Sequence, residues 1–435
     1  MQVDLNSKPH ESPLLPCVLS SRRLFTIALP LLYSNVSLDK DLSGPLFLES
    51  LKQQPQCGRW VRTFKVNSHG IFPGLTDLKK CLSMVRSLRR CQLPLEELRD
   101  EQLLHQLFFG IESLERLELI ATSSLLTAGN AISSLHNLSC KLAPDDTCAL
   151  TTLTFRPNSA SGADFLQNIL PRCPKLRFLD ISYTNVNCEI LSAISSKTRM
   201  THLILSHCQS LSGCKLAEFL TTHPAVKDSL VALDCSEASI YNYEPLDNQD
   251  IAKILSHLPR TLRSLNLAGF NVSRSHLPYL RDACRQLEEL SVGGELTVSD
   301  LEDVILGSGH AFDDMHGEDS PPLTGKYVTV MGPMEYAVSL CRLRKRLHSV
   351  IPRSQRDRPV SSSSLRYLDL STMTGLEQAK IAKSVLLSAQ SMPLGIIELS
   401  GICHDDFGSL RKISGAVGWR GKWIGSRFWI ERCGN

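Results

Sequence analysis

The run CHDDF, from Cys403 to Phe407, sets a thiol, an imidazole and two carboxylates side by side. Such groups attack carbonyls, shuttle protons and hold metal ions when other elements converge on them. No partner motif accompanies this run. The chain has no GxSxG, no HExxH and no GxGxxG after a strand. Gly325–Lys326 is followed by Tyr327, where a phosphate loop needs Ser or Thr for magnesium. The fifteen cysteines include no CxxC pair, so they lack the close spacing of metal ligands. The run therefore reads as a loop, and the chain as a non-enzyme with no cofactor and no metal site.

With chemistry set aside, composition bounds the class. The 435 residues are 42% hydrophobic and carry a formal net charge of +3. That length buries a large core without staples. So weak a net charge does not hold a chain on nucleic acid by itself. Met1–Ser12 lacks the basic and apolar regions of a secretory leader. The cysteines then read as reduced thiols, which predicts a cytoplasmic or nuclear protein. No stretch reaches the roughly 20 apolar residues of a membrane span, so no membrane partner is expected.

The elements that would position any site follow from an internal repeat. The phrase LxxLxL, with aliphatic substitutes, begins at Val61, Leu88, Leu114, Leu150, Leu176, Met200, Leu230, Leu262, Leu287, Leu365 and Leu394. Its last two apolar residues lie two apart, which places them on one side of a short strand. Between the strands, DNQDIAKILSHLPR places Ile251, Ile254, Leu255 and Leu258 on one helical face, with Asp247 or Asn248 as cap. One strand–helix unit cannot close a core, whereas stacked neighbours can. The expectation is an α/β fold: a leucine-rich-repeat solenoid with a curved parallel strand face, helices on the convex face and a short N-terminal helical segment. The expected divisions are an N-terminal segment over 1–45, repeats over 46–306, an irregular insert over 307–364, and terminal repeats with a cap over 365–435.

Some repeats, such as CPKLRFLDISYTNV and MTHLILSHCQSLSG, resemble the cysteine-containing repeats of F-box proteins. Upstream, LLPCVLSSRRLFTIALPLLYSNVSL resembles the second half of an F-box as found in fungal F-box/leucine-rich-repeat proteins, and RWVRTFKV resembles the strand that follows. The first half of that motif, a Leu-Pro helix, has no full counterpart here. The resemblance implies a substrate receptor of a cullin–RING (SCF-type) ubiquitin ligase, with the Skp-type adaptor met by Leu14, Leu15, Val18, Arg22 and Phe25. Without the ligase link, the same repeats imply a scaffold or inhibitor. The N-terminal segment also reads as a cap over the first repeat's open core.

Alternation aims the residues flanking each core leucine at the strand face. These are Lys65, Arg90, Arg116, Arg156, Phe178, Asp180, His202, Asp234, Asn266, Glu289, Tyr367 and Asp369, the candidate contacts for a protein target. The bases fall in the first half. Acids dominate the second, where Glu398 joins them. The expectation is a charge gradient suited to a dipolar protein segment. The insert carries an acidic, Gly/Pro-rich run and then the basic run CRLRKRLHSVIPRSQRDRP; this reads as a solvated helix and linker. The tail, GWRGKWIGSRFWIERCGN, reads as a hairpin turning at Gly425–Ser426 and capping the last repeat.

Overall fold

The computed structural model describes residues 20–38, 43–66, 75–98, 100–121, 134–138, 141–143, 146–157, 162–208, 210–236, 247–306, 363–373, 381, 384–388, 394–399, 418–424 and 427–433. The run CHDDF, the residues Leu14, Leu15 and Val18, and the basic run of the insert lie outside them.

Every one of the eleven repeat phrases contains a strand. In chain order these are β2 (Thr63–Val66), β3 (Arg90–Pro94), β4 (Arg116–Ile120), β5 (Thr152–Arg156), β6 (Phe178–Asp180), β7 (His202–Ile204), β8 (Ala232–Asp234), β9 (Ser264–Val272), β10 (Glu289–Gly294), β11 (Tyr367–Met373) and β12 (Ile396–Leu399). A further strand, β1 (Asn35–Leu38), precedes them, and β13 (Trp419–Ile424) and β14 (Arg427–Arg432) follow. All belong to one 14-stranded sheet whose spatial order follows the sequence through β12 and ends β14, β13. Pairing is parallel from β1 to β12 and antiparallel beyond. β10 pairs directly with β11, so the sheet is continuous from Gly294 to Tyr367 in strand order.

A helix, α1 (Arg22–Ser34), precedes β1, and others lie in intervals between strands: α2 (Ser43–Gln53), α3 (Leu75–Met84), α4 (Glu101–His105), α5 (Ala163–Ile169), α6 (Cys188–Ser192), α7 (Gly213–Thr222), α8 (Asn248–Ser256), α9 (Leu277–Cys284), α10 (Val298–Leu306) and α11 (Val385–Ser388). Short side chains start several of them. Asp100, Asn187 and Asp247 accept from the backbone N–H three residues on, at 3.0, 3.0 and 2.8 Å. Strands stack about 4.8 Å apart and helices about 10 Å apart. An array with strands on one side and helices on the other therefore curves, strand side inward. The fold is an α/β leucine-rich-repeat solenoid.

Register explains the repeat. Phe64, Cys91, Leu117, Leu153, Leu179, Leu203, Leu233, Leu265, Leu290, Leu368 and Ile397 stand in one row across eleven strands, all buried. Cys173 and Cys284, just before the first leucine of their units, are buried too. The Cys208 thiol donates to the Ile181 carbonyl of the preceding repeat at 3.3 Å and so satisfies a turn backbone group inside the stack. Burial pushes the Cys208 and Cys284 thiols up to about 12, so both stay protonated and unreactive.

Both ends of the core are covered. At the front, α1 docks through Leu29 and Tyr33, and the Tyr33 hydroxyl lies 2.5 Å from Ser50 Oγ on α2. At the back, β14 lies along β12, and Trp419 Nε1 donates to the Leu387 carbonyl at 2.7 Å. Trp419 and Trp429 are buried, so two of the tail's three tryptophans serve the cap. Among the described residues no helix is long and apolar enough to cross a membrane.

Candidate functional site

The first and third positions of each strand form two rows on the inward-curving face. The first runs Thr63, Arg90, Arg116, Thr152, Phe178, His202, Ala232, Ser264, Glu289, Tyr367 and Ile396. The third runs Lys65, Gln92, Glu118, Thr154, Asp180, Ile204, Asp234, Asn266, Ser291, Asp369 and Glu398. Register thus gathers the candidates from Lys65 to Asp369 on one surface, with Arg156 at the fifth position of β5. Arg22 and Phe25 lie on α1, at the front end.

The expected charge gradient does not appear on that surface, because four of the second-half acids, Asp180, Asp234, Asp369 and Glu398, are buried inside it, leaving Glu289 partly open. Asp180, Asp234 and Asp369 are 3%, 8% and 3% exposed. Each bends back onto its own strand end. Asp180 Oδ1 accepts from the Ser182 N–H at 3.2 Å and from its hydroxyl at 2.7 Å. Asp234 Oδ1 accepts from the Ser236 N–H at 2.9 Å and its hydroxyl at 2.7 Å. Asp369 Oδ1 accepts from the Ser371 N–H at 2.8 Å, and Asn266 Oδ1 from the Ala268 N–H at 3.0 Å. These are Asx turns, in which a carboxylate or amide oxygen replaces the carbonyl that a strand loses as it ends. Their sequence signal is the recurrence of LDIS, LDCS and LDLS at Leu179, Leu233 and Leu368. Alternation alone does not reveal it.

Two ion-pair systems hold further charges within the face. Arg156 pairs with Asp180 and is itself largely buried. Arg427, on β14, pairs with Glu398 and lies 3.7 Å from Asp369. Tyr367 Oη donates to Glu398 at 2.5 Å and Ser291 Oγ to Asp369 at 2.9 Å. Tyr367, a candidate contact, is therefore buried in the C-terminal cap. Burial, then the neighbouring Asp369 carboxylate, push the Glu398 carboxyl up to about 7.

What remains accessible is different in kind. Arg90 and Arg116 are exposed, and Lys65, Phe178, His202 and Glu289 are partly so. Phe178 and His202 face one another across β6 and β7 with ring centroids 5.6 Å apart. One turn beyond, Tyr183 and His207 stack at 4.3 Å and 19°. Both hold left-handed backbone, φ 64° and 60°, which costs a non-glycine residue roughly 1–2 kcal/mol. The turn is fixed by the stack: the Tyr183 N–H donates to the Ser206 carbonyl and the His207 N–H to the Ser236 carbonyl, each at 3.0 Å. Burial, then the Arg156 charge, depress His207 to about 4, so its ring is neutral near neutral pH. Neither residue was legible as a surface feature, since both lie past the strand ends.

A second accessible surface is the outer side of α1. Ser21 caps it, its hydroxyl accepting from the Leu24 N–H at 3.2 Å. Leu24, Phe25, Ile27 and Leu31 are 43%, 39%, 59% and 52% exposed, and Leu46 on the adjacent α2 is also open. Leu24, Ile27 and Leu31 share one stripe of the helix, while only Ala28 on α1 is fully buried.

No protein-family model matches the chain, and no curated protein matches it. Among solved structures it is similar to the leucine-rich-repeat-containing protein LegL7 from Legionella pneumophila, at 16% identity and a TM-score of 0.38 over 63% of this chain and 83% of that one.

Proposed function

We propose that the protein is a non-catalytic interaction module that holds a protein target on its strand face and offers α1 to the Skp-type adaptor of a cullin–RING ubiquitin ligase. In this reading it is a substrate receptor, and its contribution to ubiquitin transfer is proximity. The observation that carries it is the apolar stripe of Leu24, Ile27 and Leu31, left open on a helix that the repeats hold firmly through Tyr33. Scattered exposed apolar residues are ordinary, but a contiguous helical stripe suits helix-to-groove association. The resemblance of the RRLFTIALPLLY segment to an F-box points the same way.

Co-elution of the purified chain with a Skp-type adaptor on size exclusion tests the reading. The wild-type chain is expected to shift the adaptor peak. Leu24→Asp with Leu31→Asp is expected to abolish the shift while leaving the thermal melting curve in place, because both side chains are half exposed. No shift with the wild-type chain would leave a repeat scaffold without a ligase.

A further inference from the structure

The strand face keeps Lys65, Arg90 and Arg116 accessible and buries most of its acids, and this asymmetry selects a partner. Arg90 and Arg116 stand directly opposite in register on β3 and β4, both exposed. Like charges so placed repel one another, and neither guanidinium has an ion pair in the described structure. Lys65 lies on the neighbouring strand, two positions along from the Arg90 partner Thr63. Glu118 is the one acid at these positions of β2 to β4. The acids that would balance them, Asp180 and Asp234, are closed into their own turns.

Beside this basic strip lies the aromatic shelf. Phe178 and His202 form its floor, and the stacked rings of Tyr183 and His207 its rim. The rim is built at two left-handed positions where glycine would carry no steric cost. Retained strain of this kind marks sites with a task beyond folding. From β3 to β7 is four strand spacings, about 19 Å, which an extended segment of roughly six residues spans.

From these observations we infer that the face from β2 to β7 binds an extended acidic peptide segment, its carboxylates on Arg90 and Arg116 and an aromatic or aliphatic anchor on the shelf of Phe178 and Tyr183. This rests on reading the strand face as a protein-binding surface and is independent of the ligase link. Glu118 and the +3 net charge favour an acidic peptide over a nucleic acid. The shelf supplies the aromatic contacts, set beside arginines, that dominate protein recognition.

The test uses fluorescence anisotropy with the full chain and four labelled probes: a random copolymer of Glu and Tyr, poly-Glu, a random copolymer of Lys and Tyr, and poly(U). The Glu/Tyr copolymer is expected to bind tightest, and the Lys/Tyr copolymer not at all. Arg90→Glu with Arg116→Glu is expected to weaken Glu/Tyr binding roughly tenfold or more. Phe178→Ala is expected to weaken Glu/Tyr binding and leave poly-Glu unchanged, which separates anchor from charge. Unchanged Glu/Tyr binding in the double reversal, or tighter binding of poly(U) than of Glu/Tyr, overturns the inference. Leu24→Asp with Leu31→Asp should leave copolymer binding intact, so failure of the adaptor reading and failure of this one are told apart.

Discussion

Asp180→Ala is expected to destabilise the chain by about 3–5 kcal/mol, whereas Arg90→Glu, on the same face, should change stability by no more than about 0.5 kcal/mol. The contrast follows from engagement. The Asp180 carboxylate accepts both the N–H and the hydroxyl of Ser182 and pairs with Arg156. Its removal leaves the Ser182 N–H and a largely buried guanidinium without their acceptor, and the uncompensated charge dominates the cost. Ser182 Oγ is also 2.9 Å from Ser206 Oγ, so the loss spreads to the next repeat. Arg90 sits in solvent and supports nothing beneath it. Urea denaturation followed by circular dichroism measures both variants. Adding Arg156→Met to Asp180→Ala should recover part of the loss, since no unpaired charge then remains. An Asp180→Ala chain within about 1 kcal/mol of wild type would mean that the carboxylate is not needed inside and is free for a partner.

The second large effect lies at the C-terminal cap. Arg427→Met should lower stability by about 3–5 kcal/mol at pH 8, because it strips the counter-charge from Glu398 and from the nearby Asp369. The loss should shrink at lower pH. The Glu398 carboxyl is raised from 4.5 to about 7 by burial first and Asp369 second. A carboxyl raised on folding favours the folded state while protonated. Its contribution is full below about pH 4.5 and disappears as pH rises through about 7. The wild-type chain should therefore lose stability across that window, by on the order of 3 kcal/mol from this group. Glu398→Gln should flatten the slope by keeping a neutral acceptor for Tyr367. Thermal melts from pH 4.5 to 8 on the three chains provide the check. A Glu398→Gln profile as steep as wild type would place the titration elsewhere.

The architecture was legible because a repeat tests itself. One LxxLxL match is chance, but the same phrase from Val61 to Leu394 requires stacked strands, and each match contains one. The helix start was readable to within one residue, Asp247 or Asn248, of which Asp247 is the cap, and the C-terminal hairpin was equally readable from local chemistry. β1 is not legible as a strand, because NVSL carries no repeat phrase and its pairing is with β2 alone among the described strands. Nor is the closeness of Gly293 to β9. A Cβ there would come within 2.8 Å of the Gly269 nitrogen, where the register between β9 and β10 shifts.

The binding face was half legible. Period two names the residues that face inward on the curve, and it named Arg90, Arg116, Phe178 and His202. It says nothing of whether a side chain at a strand end turns back to satisfy its own backbone. That choice depends on the residue two positions on: Ser182 and Ser236 capture Asp180 and Asp234, and so remove them from the surface. The stacked Tyr183 and His207 escaped for a related reason, since they belong to the turns and not to the strands.

Amide hydrogen exchange on the full chain, with and without a Skp-type adaptor, tests most directly the division of labour between α1 and the strand face. New protection is expected over Leu24 to Leu31 and around Leu46, with the amides of β3 to β7 unchanged. Protection confined to the strands, or none anywhere at saturating adaptor, would contradict it.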